Sequence, residues 1–309
     1  MSPVMSLIEH VSVVSFSFMS YLIKAFLPVN LSAVYTYPVG LGHGLPLLYP
    51  LSVVATAMVL FFIGYARKWG KETVFGILFM IINLLLVLQI IPVGAATMAD
   101  RYTYIPYIGL FFLIGHGCSQ LAMNPVYRKP VFGFLAMVFL AFSALSYARI
   151  SVWENDDTLF TDVLAKYPNS YISHHDRGVY YVQHEAERLY AENPQAKRVF
   201  LEKGITDFEQ ALPYAVSPGQ KVSSYTNLGY ARYALGDFKG AINAYDRAIQ
   251  TDSHAAAAYL NRAYAQFGLK DYHASLADFN KAIELNPSDS NAIKNRLLVK
   301  SVLDTLKKD

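Results

Sequence analysis

The sequence predicts an all-α protein in two parts, a polytopic helical membrane domain of about five spans followed by a solenoid of paired helices. Three observations carry that reading. Of the 309 residues 54% are apolar and only 16% charged, and most of the charge lies after Trp153. Before that point apolar runs recur at roughly the 20-residue length a helix needs to cross a bilayer. After it the chain repeats itself with a period of 34 residues, a period that belongs to helical-repeat arrays. The expected divisions are a transmembrane domain over 1–150, a connecting amphipathic helix over 151–170, and a repeat domain over 171–309.

The five expected spans are 12–27, 47–65, 74–91, 104–123 and 131–150. The first is serine-rich with Lys24 near its end, where the ammonium would snorkel to the interface. No basic stretch precedes it and it is long enough to span, so it reads as a span rather than a cleaved signal. The others are apolar around their whole circumference, unlike the one-sided helices of a soluble core. Arg67, Lys68 and Lys71 lie between spans two and three, and Arg128 and Lys129 between four and five. The positive-inside rule puts both groups in the cytoplasm. The N-terminus is then cytoplasmic, and everything after Ile150 is extracytoplasmic. A net charge of +3 without a basic stripe argues against nucleic acid. Cys118, the single cysteine, excludes an intramolecular disulfide.

Between the third and fourth runs stands Ala99-Asp100-Arg101-Tyr102-Thr103-Tyr104-Ile105-Pro106, the densest polar chemistry of the first half. The plain reading is an interfacial anchor, tyrosines at headgroup level with an acid and a base that neutralise each other. The sharper one is a lipid-phosphate site of Asp100, Arg101, Tyr102 and Tyr104, with Arg101 on the phosphate and Asp100 holding its guanidinium. The loop from Pro28 to Pro38 would lie on the same side, its Tyr35 and Tyr37 joining that surface. It contains Asn30-Leu31-Ser32, a glycosylation triplet common by chance.

Past Trp153, Ser151 with Glu154 would form a capping box for an amphipathic helix reaching about Tyr167, before Pro168. Asp156 and Asp157 are acids favoured in a first helical turn, not a catalytic pair. Then Asn227, Tyr230, Ala231, Leu235, Asp237 and Ala248-Ile249 recur 34 residues on as Asn261, Tyr264, Ala265, Leu269, Asp271 and Ala282-Ile283. Small residues where two helices meet and an aromatic on the second helix make this the tetratricopeptide pattern. A degenerate earlier unit shows in Asp176-Arg177-Gly178 and Phe208-Glu209-Gln210-Ala211, with an insertion around 185–197. About three repeats result, and 291–306 reads as the polar helix that caps such an array. The first-helix positions Asn227, Tyr230, Tyr233, Asn261, Tyr264 and Phe267 are the candidate peptide contacts. Their aromatics serve equally well as packing between repeats.

His174-His175-Asp176 lacks the i, i+4 spacing of a helical chelate, so no metal site is expected. No cofactor is expected either, there being no phosphate-cradling glycine motif, nucleophile elbow or zinc spacing. The Ala99–Tyr102 motif, its continuation Pro106-Tyr107-Ile108-Gly109-Leu110, Trp153-Glu154-Asn155-Asp156 with Phe160, and the repeats together resemble one group. So does Leu27-Pro28-Val29-Asn30-Leu31-Ser32 with Tyr35 and Pro38. The chain resembles the C-terminal half of the transmembrane and tetratricopeptide proteins related to protein O-mannosyltransferases. The resemblance implies a glycosyltransferase using a polyprenyl-phosphate sugar on the extracytoplasmic face. Members carry further upstream spans, with an acid in the first outer loop that acts in sugar transfer. The chain is expected to lack these and to be inactive alone, so no catalytic residue is assigned. Two functions follow, and the charge bias argues against a third, a cytoplasmic-facing scaffold. One is a membrane-anchored repeat protein that presents an extracytoplasmic peptide-binding solenoid. The other is the C-terminal half of such an enzyme.

Overall fold

The computed structural model describes residues 5–37, 44–65, 68–91, 96–188 and 193–306. Among these residues the fold is all-α apart from one two-stranded ladder. Its contacts group the chain into two units, Met1–Tyr167 and Pro168–Asp309.

In the first unit, α1 (Leu7–Phe26) begins at a reciprocal capping box between Ser6 and Glu9, which satisfies backbone donors the first turn cannot. Its serines have a use. Ser12, Ser15 and Ser17 are buried, and α2 (Leu48–Tyr65) returns hydrogen bonds from Ser52 Oγ to Ser12 O and from Thr56 Oγ1 to Ser15 O, both 3.4 Å. Small polar side chains let two apolar helices approach this closely. The contact between α3 (Lys71–Val87) and α4 (Tyr104–Ala122) has the same logic. A Cβ on Gly109 would sit 2.6 Å from Gly76 O and 2.8 Å from Met80 N, so only glycine fits. The last long helix, α5 (Pro125–Arg149), starts at an Asn124 cap with Pro125 in its first turn and buries none of its side chains.

Among the described residues four segments are long and apolar enough to cross a membrane, Leu7–Phe26, Leu48–Tyr65, Asp100–Ala122 and Pro125–Trp153. The expected third span falls short of them. Its helix α3 has 17 residues, and past Leu88 the chain leaves the helix at Gln89, whose φ is 54°. Arg128 and Lys129, expected in a loop, sit instead within α5, because the chain turns at Met123 and Asn124. Arg67 lies outside the described residues.

The ladder pairs β1 (Tyr35–Thr36) with β2 (Ala96–Met98), antiparallel, Tyr35 opposite Met98. It ties the loop after α1 to the approach to Asp100. Beneath it Phe18, Tyr21, Tyr35, Met80, Leu84, Leu88 and Met98 form a core. A 3₁₀ turn over Ile150–Trp153 then leads to α6 (Asp156–Lys166). The cap is not Ser151 with Glu154 but Asn155 with Thr158. The 3₁₀ turn moves the first free amides four residues on from Ser151, and Asn155 accepts from Thr158 N at 3.0 Å.

The second unit is an array of helix pairs. The second repeat is α10 (Pro218–Ala234) with α11 (Phe238–Thr251), and the third is α12 (Ala256–Gly268) with α13 (Tyr272–Leu285). The helix α14 (Ser290–Leu306) follows. The first repeat is longer. Its first helix is α7 (Tyr171–Val179), continued by a π-helical segment Tyr180–Glu185 and α8 (Ala186–Arg188), and its second is α9 (Pro194–Ala211). One packing rule holds in all three pairs. Gly178, Gly229 and Ala263 on the first helices are buried, and each second helix sets an aromatic at the matching position, Phe208, Tyr245 and Phe279. A Cβ on Gly229 would come within 2.5 Å of the Tyr245 ring.

Candidate functional sites

The loop site grows from the β1–β2 ladder. Because Tyr35 stands beside Asp100 across it, the Tyr35 hydroxyl donates to Asp100 Oδ1 at 2.7 Å and accepts from Ser32 N at 3.1 Å. Burial first, and the charge of Asp100 second, push that hydroxyl far above the ordinary tyrosine range, so it remains a donor. The expected Asp100–Arg101 pairing is therefore replaced. Asp100 belongs to Tyr35, while Arg101 reaches Ala33 O with Nη1 at 3.3 Å and lies 5.2 Å from the Tyr102 ring centre. Arg101 is exposed, Tyr102 half-buried and Tyr104 72% exposed.

The carbonyl of Leu31 carries a second cluster that the sequence did not reveal. Arg149 Nη2 and Lys166 Nζ both donate to it, at 3.2 and 2.6 Å, and both also hold Asp162. Burial raises the Asp162 carboxyl, but the hydrogen bonds and charges of Arg149 and Lys166 outweigh it and hold it below the usual aspartate range. The Lys166–Asp162 half was legible as an i, i+4 pair; Arg149 comes from another helix. Within this clamp Ser32 is fully buried and its Oγ donates to Val34 O, so the folded loop does not offer the Asn30-Leu31-Ser32 triplet as an extended acceptor. Pro38 lies outside the described residues.

The expected peptide contacts lie on α10 and α12, all six of them half-buried. Their aromatics are engaged in packing. Tyr233 lies against Phe238 with ring centres 5.5 Å apart, Tyr264 against Phe279 at 5.3 Å and Phe267 against Tyr272 at 5.3 Å. Tyr230 donates to Glu187 Oε1 at 3.1 Å, and Tyr264 Oη accepts from Asn295 Nδ2 at 3.0 Å. The amides differ. Asn227 Nδ2 lies 3.3 Å from His175 Nε2, whereas Asn261 is half-buried and its side chain forms no hydrogen bond among the described residues. Asn295 continues the ladder 34 residues after Asn261; that spacing alone could have found it.

His175 orients the first amide. Its ring is stacked on Tyr171 and tilted against Phe208. Nδ1–H donates to Asp176 Oδ1 at 3.0 Å, which leaves the Nε2 lone pair for Ser223 Oγ at 3.0 Å and for Asn227. His174 points elsewhere, bridging Asp207 Oδ1 and Pro168 O. Among the described residues no group of three or more His, Cys, Asp or Glu is placed to hold a metal ion.

Residues 226–290 match the tetratricopeptide repeat family. A further similarity is to the human "Protein O-mannosyl-transferase TMTC3", 34% identical over 73 residues, which are 24% of this chain and 8% of that protein. Among solved structures, the first tetratricopeptide domain of human RPAP3 is 16% identical, covering 43% of this chain and 97% of its own, with a TM-score of 0.35. The protein MamA is 17% identical over 57% of this chain and 88% of its own, TM-score 0.40. The chain contains tetratricopeptide repeats.

Proposed function

We propose that the repeats bind an extended peptide along the first-helix amides, and that the apolar half anchors them in a membrane. The observation that carries this is Asn261. Its amide, half-buried and without a side-chain partner among the described residues, stands in 34-residue register with Asn227. An amide offers donors and an acceptor at once, the pair that an extended backbone needs. Tyr230, Tyr233, Tyr264 and Phe267 frame the amides and keep their helices at fixed spacing. Anchoring rests on the four long apolar helices with outward side chains such as Phe61, Ile108 and Phe139. In this reading five spans place the N-terminus in the cytoplasm and the repeats outside it, with α3 as a short span at the lower limit of length. The test is a phage-displayed library of random linear peptides panned on the full chain in detergent. Enriched peptides should lose about tenfold or more in affinity on Asn261→Ala, with melting temperature unchanged. Absence of enrichment, or affinity indifferent to Asn227→Ala and Asn261→Ala, would refute it.

A second reading concerns Arg101. Among the described residues only one carbonyl, at 3.3 Å, accepts from it, and a guanidinium has five N–H donors suited to phosphate oxygens. With Tyr102 and Tyr104 beside it, and Asp100 acting through Tyr35 to fix the loop, Arg101 would hold the phosphate of a polyprenyl-linked sugar. This is the role expected of the C-terminal half of an O-mannosyltransferase-like enzyme. Polyprenyl phosphate titrated into the protein in nanodiscs should bind wild type, bind Arg101→Lys less well and fail with Arg101→Ala. Equal binding by all three would leave Arg101 a structural residue.

A further inference from the structure

The helix pairs of the array obey a pairing rule readable within this one chain. In the first repeat Arg177 sends Nε and Nη2 to the two carboxylate oxygens of Asp207, each at 2.8 Å. In the third, Arg262 makes the same fork to Asp278 at 2.6 and 2.7 Å. In the second, the arginine's position is Leu228 and the aspartate's is Ala244, and both are buried against each other's neighbours in one cluster. Arginine on the first helix thus goes with aspartate on the second, and leucine goes with alanine. Neither a lone buried charge nor a clash is left.

Thirty-four residues after Arg262 stands Arg296, on α14, just as Asn295 follows Asn261 and buried Ala292 follows buried Ala258. The helix α14 therefore has the register of a first helix, although its sequence alone reads as a polar cap. Its arginine is the one that breaks the rule. Arg296 Nε is buried and has no hydrogen-bond partner among the described residues. Next to it Leu297 and Leu298 are 57% and 52% exposed, whereas Ala263, the counterpart of Leu297, is fully covered.

We propose that this face of α14 docks an amphipathic helix that carries an aspartate for Arg296. The chemistry of the face narrows that helix further. In the three complete pairs a glycine or alanine makes room for an aromatic directly after the aspartate position. Leu297 fills that room itself, so the docked helix needs a small residue after its aspartate rather than a ring. The pattern is Asp followed by a small residue, with alanine three positions further on, as Ala211 and Ala282 stand in α9 and α13.

The probe is a synthetic peptide copying residues 271–285, its Asp271 cap kept, with Phe279→Ala; binding is read by fluorescence polarisation on the full chain in detergent. Wild type should bind it at least about tenfold tighter than the same peptide carrying Asp278→Ala. Arg296→Leu should abolish that preference or reverse it, reproducing the Leu228–Ala244 type of pair. Leu297→Ala should shift preference toward the peptide that retains Phe279. Circular dichroism melts on both protein variants separate lost docking from lost folding. The proposal fails if neither peptide binds, or if discrimination by Asp278 survives in Arg296→Leu. It fails too if sedimentation shows the chain dimerising through this face, with Leu297→Ser restoring the monomer.

Discussion

Asp207 shows how a single buried carboxylate organises its neighbourhood. It is 2% exposed and takes two hydrogen bonds from Arg177 and one from His174. Burial raises its carboxyl, but Arg177 and His174 outweigh this and hold it below the usual aspartate range. A depressed folded value means that the stabilisation is fully present above the unfolded value, about 3.9 for aspartate, and is lost as the pH falls through the folded one. Wild-type stability should therefore stay level in this respect from neutrality down to roughly pH 4, and then fall. Asp207→Asn strands the Arg177 charge and should cost on the order of 3 kcal/mol in urea denaturation at neutral pH. The double change Arg177→Leu with Asp207→Ala copies the Leu228–Ala244 pair and should recover much of that loss. A single variant as stable as wild type would show that the ion pair contributes nothing net.

At the scale of the element, what the sequence disclosed depended on whether the controlling contact was local. The repeat helices were legible because the 34-residue period, the small residues and the aromatics all encode contact between neighbouring helices. The insertion in the first repeat was legible too, and the Arg–Asp fork measures it. Arg177 and Asp207 are 30 residues apart, Arg262 and Asp278 only 16. The extra length goes into both helices of that pair, with a π-helical segment, Tyr180–Glu185, where the longer first helix departs from α-helical register. Long-range contacts were not legible. A two-residue strand has no period, so nothing in the chain announced that Tyr35 would claim Asp100 from Arg101. The same holds for the Leu31 carbonyl, gathered by cations 118 and 135 residues away. The expected peptide contacts were legible only as positions along the first helices, not by what each side chain touches. Asn261 and Tyr264 share a helix face, yet the tyrosine is engaged by Phe279 and Asn295 while the amide is not.

For the whole molecule the proposed topology is the strongest claim that one experiment can decide. The helix α5 is not a one-sided core helix: it buries no side chain at all, and its Met137, Phe139 and Leu140 are each at least 66% exposed. Leaving such surface in water is unfavourable by about 25 cal/mol per Å², which a bilayer removes. The proposed orientation rests on the cations. Lys68 and Lys71 flank the start of α3, and Arg128 and Lys129 lie in the first turns of α5. The positive-inside rule counts charges near span ends, so moving the second pair from loop to helix leaves the argument intact. Replacing Cys118 by serine gives a background for single reporters, Lys68→Cys at a basic end and Lys239→Cys in the repeats. Both positions are exposed. In spheroplasts a membrane-impermeant maleimide should label Lys239→Cys at once, and Lys68→Cys only after lysis. The reverse pattern would put the repeats in the cytoplasm, and equal labelling of both before lysis would mean that the apolar half does not span at all.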